Sequence, residues 1–172
     1  MSDLRDELYS LLVPLAGERL IVPRACVAEV VGYQTPAAET RAPPWYAGIV
    51  SWSGRSVPVV SFEGALGQPL PSVSTRTRIV IFYANHDVLQ AGFFGLLTQG
   101  FPQLVRINAD VVRPDPSRSF PERSPVICQV RMVNETPLIP DLQRLEHMIA
   151  GVIGGSEGTD GAVPSRPSIP PG

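Results

Sequence analysis

The sequence predicts a mainly β fold built as two small barrels, and three observations carry that expectation. Its apolar runs are short and rich in Val and Ile, tight polar turns separate them, and the order strand, turn, strand, short helical segment occurs twice along 172 residues. Pro14, Pro23 and Pro58 fall in or beside these runs, where they would break a helix but are tolerated at strand ends and edges. Hydrophobic residues make up 44% and charged residues 17%, a balance that favours a folded core over disorder.

The elements follow in order. Residues 8–15 and 20–23 read as strands around the turn Ala16-Gly17-Glu18, 27–31 as a third strand, and 35–44 as a polar, Pro-containing loop. Residues 48–60 form the clearest hairpin, two β-branched runs around Ser53-Gly54-Arg55. Ser61 is placed to cap a short helical turn through Phe62 and Leu66, closed by Gly67. A Pro- and Ser-rich loop over 67–78 then divides the chain. Beyond it, 78–83, 93–98 and 104–107 read as strands, 113–125 as an exposed Pro- and Arg-rich loop, and 126–139 as a last hairpin turning at Asn134-Glu135. Asp141 starts a helix with Leu142, Leu145 and Ile149 on one face, and Gly151 suits its end.

Residues 1–153 are therefore expected to form one domain, with subdomains at about 14–75 and 76–140 closed by the N-terminal strand and the C-terminal helix. Residues 154–172 are Gly-, Ser- and Pro-rich and are expected to be a disordered tail, dispensable for folding.

Composition narrows the function classes. The formal net charge is −2 and no basic block occurs, so a nucleic-acid track or an anionic-membrane patch has no electrostatic footprint. No basic segment leads into an apolar N-terminal stretch and no apolar window is long enough to span a bilayer, so a cytoplasmic protein with no direct membrane insertion is expected. Cys26 and Cys128 lie far apart in apolar surroundings and read as free, buried thiols. His86 and His147, the two histidines, have no metal-ligand spacing, and no Gly-rich phosphate loop opens a helix. Neither an enzyme nor a bound cofactor or metal is expected.

Three segments carry a resemblance: Val27-Ala28-Glu29-Val30-Val31-Gly32-Tyr33, Ala42-Pro43-Pro44-Trp45-Tyr46-Ala47-Gly48, and Gly54 with Val57-Pro58-Val59-Val60. Together they resemble the first-half signature of the CheW-like chemotaxis coupling protein family, and Gly95-Leu96-Leu97, Arg113-Pro114 and the final hairpin resemble it more loosely, over about residues 7–149 in all. The chain reads as a divergent member. Ser51-Trp52-Ser53-Gly54 stands where the family has Asn-Leu-Arg-Gly, so Ser53 takes the Arg position and an Arg follows the motif, at Arg55. Ser61 and Gln99 stand where the family carries acidic residues. The resemblance implies two SH3-like five-stranded barrels packed side by side. It further implies a non-catalytic adaptor for the regulatory domain of a CheA-type histidine kinase and the cytoplasmic tip of a methyl-accepting chemoreceptor, with other CheW-like proteins as further partners, recruited to the inner face of the membrane through receptors. The alternative is a β-barrel module binding a peptide or small molecule outside chemosensing.

A partner patch is expected from Val27, Glu29, Ser53, Gly54 and Arg55, with Trp52 as an anchor and Gly48 beside them. On plain physical grounds Glu29 is a solvent-facing strand residue, Gly48 and Gly54 provide unusual backbone angles, and a Trp is a core anchor. Leu97 and Phe101 are the candidates for a contact surface in the second half, against a plain reading as core.

Overall fold

A computed structural model describes residues 7–157. The elements are β1 (Leu8–Pro14), β2 (Arg19–Pro23), a single tight helical turn (Arg24–Cys26), β3 (Val27–Gly32), β4 (Tyr46–Trp52), β5 (Arg55–Val60), α1 (Phe62–Ala65), β6 (Arg78–Tyr83), β7 (Phe93–Thr98), β8 (Gln103–Ile107), β9 (Arg113–Pro114), β10 (Val126–Arg131), β11 (Leu138–Pro140) and α2 (Leu142–Glu157). The mainly β architecture is as expected. The strands form two sheets, one in the order β8-β1-β2-β11-β10-β9 and one in the order β3-β6-β7-β5-β4.

The sheets divide the chain differently from the expected boundary near residue 75. All strands between residues 27 and 98 belong to the five-stranded sheet, and the flanking segments 8–23 and 103–140 build the other. The deciding pairings are long-range: β1 pairs with β8 from Leu8↔Ile107 to Leu12↔Gln103, and β6 enters the five-stranded sheet between β3 and β7. One subdomain is thus inserted into the other.

Strand alternation explains why the runs are apolar throughout. In β6, Val80 and Phe82 face a core shared by both sheets, while Ile79 and Ile81 face a cluster with Val50, Val57 and Val59 on the other side of their own sheet. In β1, Leu11 and Val13 join the shared core, and Leu12 packs with Ile21 and Val130 in a third cluster. The middle residues of β1 and β6 are buried on both faces, so no polar alternation is visible in these strands.

Both helices start as read. Ser61 Oγ accepts from Gly64 N–H at 3.2 Å, and Asp141 Oδ1 accepts from Arg144 N–H at 3.0 Å. α2, however, passes through Gly151 to Glu157, so residues 154–157 of the expected tail are helical. Val152 and Ile153 pack against the shared core, which offsets the roughly 1 kcal/mol that a mid-helix glycine costs. The rest of the expected tail lies outside the described residues.

The 113–125 segment also departs from a plain exposed loop. Arg113 and Pro114 pair with β10, and Asp115 is buried. Its carboxylate accepts from Ser117 N–H at 3.1 Å, Gln129 Nε2 at 3.0 Å and Arg131 Nη2 at 3.4 Å. Hydrogen bonds from Ser117 first, then Gln129 and the nearby Arg131 charge, lower its pKa to about 2. Because this lies below the unfolded value of about 3.9, the carboxylate stabilises the fold fully above that value and loses its contribution as pH falls toward the folded one. Urea midpoints of wild type and Asp115→Asn, measured from neutral pH downward, are expected to differ at pH 7 and to converge toward about pH 2. A difference independent of pH would contradict this account.

Candidate functional site

The expected patch lies on the five-stranded sheet, and two β-bulges decide which of its residues reach the surface. In β3 the pairing with β6 slips between Val27↔Phe82 and Glu29↔Ile81. Without the bulge, Val27 and Glu29 would share a face; with it, Val27 turns into the shared core at 4% exposure and Glu29 is exposed on the face of Ile81. Val27 is therefore no part of a partner surface. A second bulge lies in β4 between Tyr46 and Gly48.

Gly48 is buried with φ +132°, and a Cβ there would stand 2.2 Å from the Ala37 carbonyl oxygen. It permits the close approach of the β3–β4 connection and offers no contact surface. Ser53 and Gly54 form the two-residue loop between the paired Trp52 and Arg55, with φ 51° and 73°, the positive angles a tight hairpin demands. Both are exposed at the tip.

Glu29 and Trp52 sit on opposite edge strands of this sheet, β3 and β4, yet Trp52 Nε1 donates to Glu29 Oε2 at 2.7 Å. The sheet is curled until its edges meet through side chains. The Trp52 ring stands edge-on to Phe93 with centroids 4.9 Å apart, the Arg55 guanidinium lies over Phe93 at 5.3 Å, and Phe93 tilts against Tyr83 at 5.6 Å. Arg55 Nη1 also donates to the Ala91 carbonyl at 3.3 Å. The outcome is one surface row, carboxylate, indole, phenyl and guanidinium, with Tyr83 at 56% exposure beside it.

The Glu29 carboxylate and the Arg55 guanidinium stand at the two ends of an apolar strip made by Trp52 and Phe93, with Val27 of the expected patch absent from it. Tyr83 and Phe93 are not legible as site residues in the sequence, because each belongs to an apolar run that reads as core. Their one signal is position, opposite each other where the 84–92 connection closes the β6–β7 hairpin. Leu97 is partly buried and packs against the Ile79 and Ile81 cluster, whereas Phe101 is 70% exposed beyond β7, so the core reading fails for Phe101. Cys26 and Cys128 are free and only partly buried; burial still raises the Cys26 thiol pKa. Among the described residues, no group of three or more His, Cys, Asp or Glu is arranged to hold a metal ion, and no helix is long and apolar enough to cross a membrane.

The family model described as "CheW-like domain" matches residues 10–153, which include both sheets and most of α2. The chain belongs to the CheW-like family. Among solved structures, scaffolding protein TtCheW from Thermoanaerobacter tengcongensis is similar in fold, with a TM-score of 0.65 and 19% identity, over 77% of this chain and 88% of that one. No curated protein matches the sequence. In this chain Trp52 Nε1 engages Glu29, and Ser53 stands at the hairpin tip.

Proposed function

We propose that this chain is a non-catalytic coupling scaffold that joins the regulatory domain of a CheA-type histidine kinase to the cytoplasmic tip of a methyl-accepting chemoreceptor in a bacterial chemosensory array. Membership of the CheW-like family over residues 10–153 is the observation that carries this reading. Recruitment to the inner face of the membrane then follows from receptor binding, and other CheW-like proteins are further partners. The row Glu29, Trp52, Phe93 and Arg55 is the partner surface this reading favours, because it sets a carboxylate and a guanidinium at the ends of half-buried aromatic area. Ser53 and Gly54 shape its hairpin tip, and Gly48 lets the β3–β4 connection pack closely on β4, the strand that carries Trp52.

Removing one partner of a partly desolvated, charged hydrogen bond at an interface typically costs about 2 kcal/mol or more, while removing a solvated surface charge costs well under about 1 kcal/mol. Glu29→Lys and Arg55→Glu, made singly, are therefore expected to weaken binding to a receptor fragment or the kinase regulatory domain at least about tenfold, roughly 1.4 kcal/mol, with thermal midpoints within a few degrees of wild type. Titration calorimetry checks this. Wild-type affinity in both variants would place the interface elsewhere.

A further inference from the structure

We propose that the opposite end of the five-stranded sheet holds a second docking slot, one that takes a single bulky apolar side chain flanked by carboxylates on a partner protein. The slot lies between the β3–β4 and α1–β6 connections and the end of β7, where Pro44, Ala47, Leu70, Val73 and Leu97 supply its apolar walls. Leu70 and Val73 are 51% and 53% exposed, so the walls stand open to solvent. The cavity volume is about 130 Å³, the order of space that accommodates one benzene-sized group. A Phe or Leu side chain suits it; a cofactor does not.

Charge sets the partner's chemistry. Among the described residues, no carboxylate lines the slot. Ser61 and Gln99, the two positions where the family resemblance leads one to expect acidic residues, both lie in its wall. Arg78 Nη1 donates to the carbonyls of Thr75 and Thr77, each at 2.9 Å, which holds its guanidinium beside Thr77 at the slot's edge. Among the described residues Arg78 makes no ion pair, and Arg76 near it is exposed. An apolar hole with positive charge on its rim, in a chain of net charge −2, selects an anchor residue with acidic neighbours over one with basic neighbours.

β6 separates this slot from the aromatic row, with Arg78 at one end and Tyr83 at the other, a span of about 17 Å at the usual rise per residue. The two surfaces can thus be occupied together, and the slot stands or falls independently of the coupling role.

The test uses the ¹⁵N-labelled full chain and two synthetic probes, the peptide Asp-Glu-Phe-Asp-Glu and its counterpart with Lys in place of every acidic residue. The acidic peptide is expected to shift the amide resonances of Thr77, Leu97 and Gln99 and to bind at least tenfold more tightly than the basic one. Arg78→Gln should remove most of that preference, Val73→Asp should weaken the acidic peptide at least tenfold, and Arg55→Gln should leave its binding unchanged. Val73 is exposed, so its variant tests the slot without opening the core. Equal binding of the two peptides, shifts centred on Tyr83 and Phe93, or no shifts at millimolar peptide would each overturn the proposal.

Discussion

Replacing Gly48 with alanine is expected to cost the protein about 3 kcal/mol or more, through strain and overpacking together. The backbone there has φ +132°, a region closed to a residue with a Cβ, and the added carbon would fall 2.2 Å from the oxygen and 2.6 Å from the carbon of the Ala37 carbonyl. That carbonyl cannot simply yield. Ala37 N–H donates to the Ile49 carbonyl at 2.8 Å and its oxygen accepts from Ile49 N–H at 3.1 Å, so moving it breaks a two-bond bridge that ties the β3–β4 connection to β4. Gly54→Ala is the control: its φ is +73° but nothing stands within 4 Å of its Cβ, so only the conformational cost of about 1–2 kcal/mol applies. Urea denaturation of the two variants measures the difference, and a Gly48→Ala protein within about 1 kcal/mol of wild type would refute the close-approach account.

Phe82→Ala is expected to cost about 3–5 kcal/mol, a large share of the roughly 5–15 kcal/mol that a domain of this kind possesses. Phe82 has no exposed surface and stacks on Phe94, its cross-strand partner, with centroids 5.2 Å apart and planes within 12°. It lies in the core that both sheets share, with Leu20 and Leu138 from one and Val60 and Leu96 from the other. Its loss should therefore loosen the two subdomains together. Tryptophan fluorescence, which reports Trp45 and Trp52 in the inserted subdomain, and far-ultraviolet dichroism, which reports both sheets, are expected to give one coincident transition at a lowered midpoint. Two separated transitions would mean that the shared core does not couple the sheets.

Much of the fold is legible in the sequence because its signals are local. A Ser-Gly turn between β-branched runs, a Ser before Phe62 and an Asp before Leu142 each specify a hairpin or a helix start within four residues, and all three stand where the sequence places them. The features that local signals miss depend on distant partners. Nothing near Leu8 says that it lies opposite Ile107, so an inserted subdomain reads as two sequential halves. The β3 bulge has no signature in Val27-Ala28-Glu29, yet it reverses the relation between Val27 and Glu29 and removes one residue from the expected patch. Asp115 reads as loop polarity because its acceptor role needs Gln129 and Arg131 from β10. Phe93 reads as core and is the ring on which Trp52 and Arg55 converge.

The coupling role rests on one protein holding two partners, and a bridging assay tests that most directly. A receptor cytoplasmic fragment is immobilised, the isolated regulatory domain of a CheA-type kinase is added, and its retention is measured with and without this chain. Little retention of the kinase domain is expected on its own, strong retention when the wild-type chain is added, and loss of that gain with the Glu29→Lys chain. Failure of the wild-type chain to raise kinase-domain retention, with both partners folded and in excess, would contradict the coupling role.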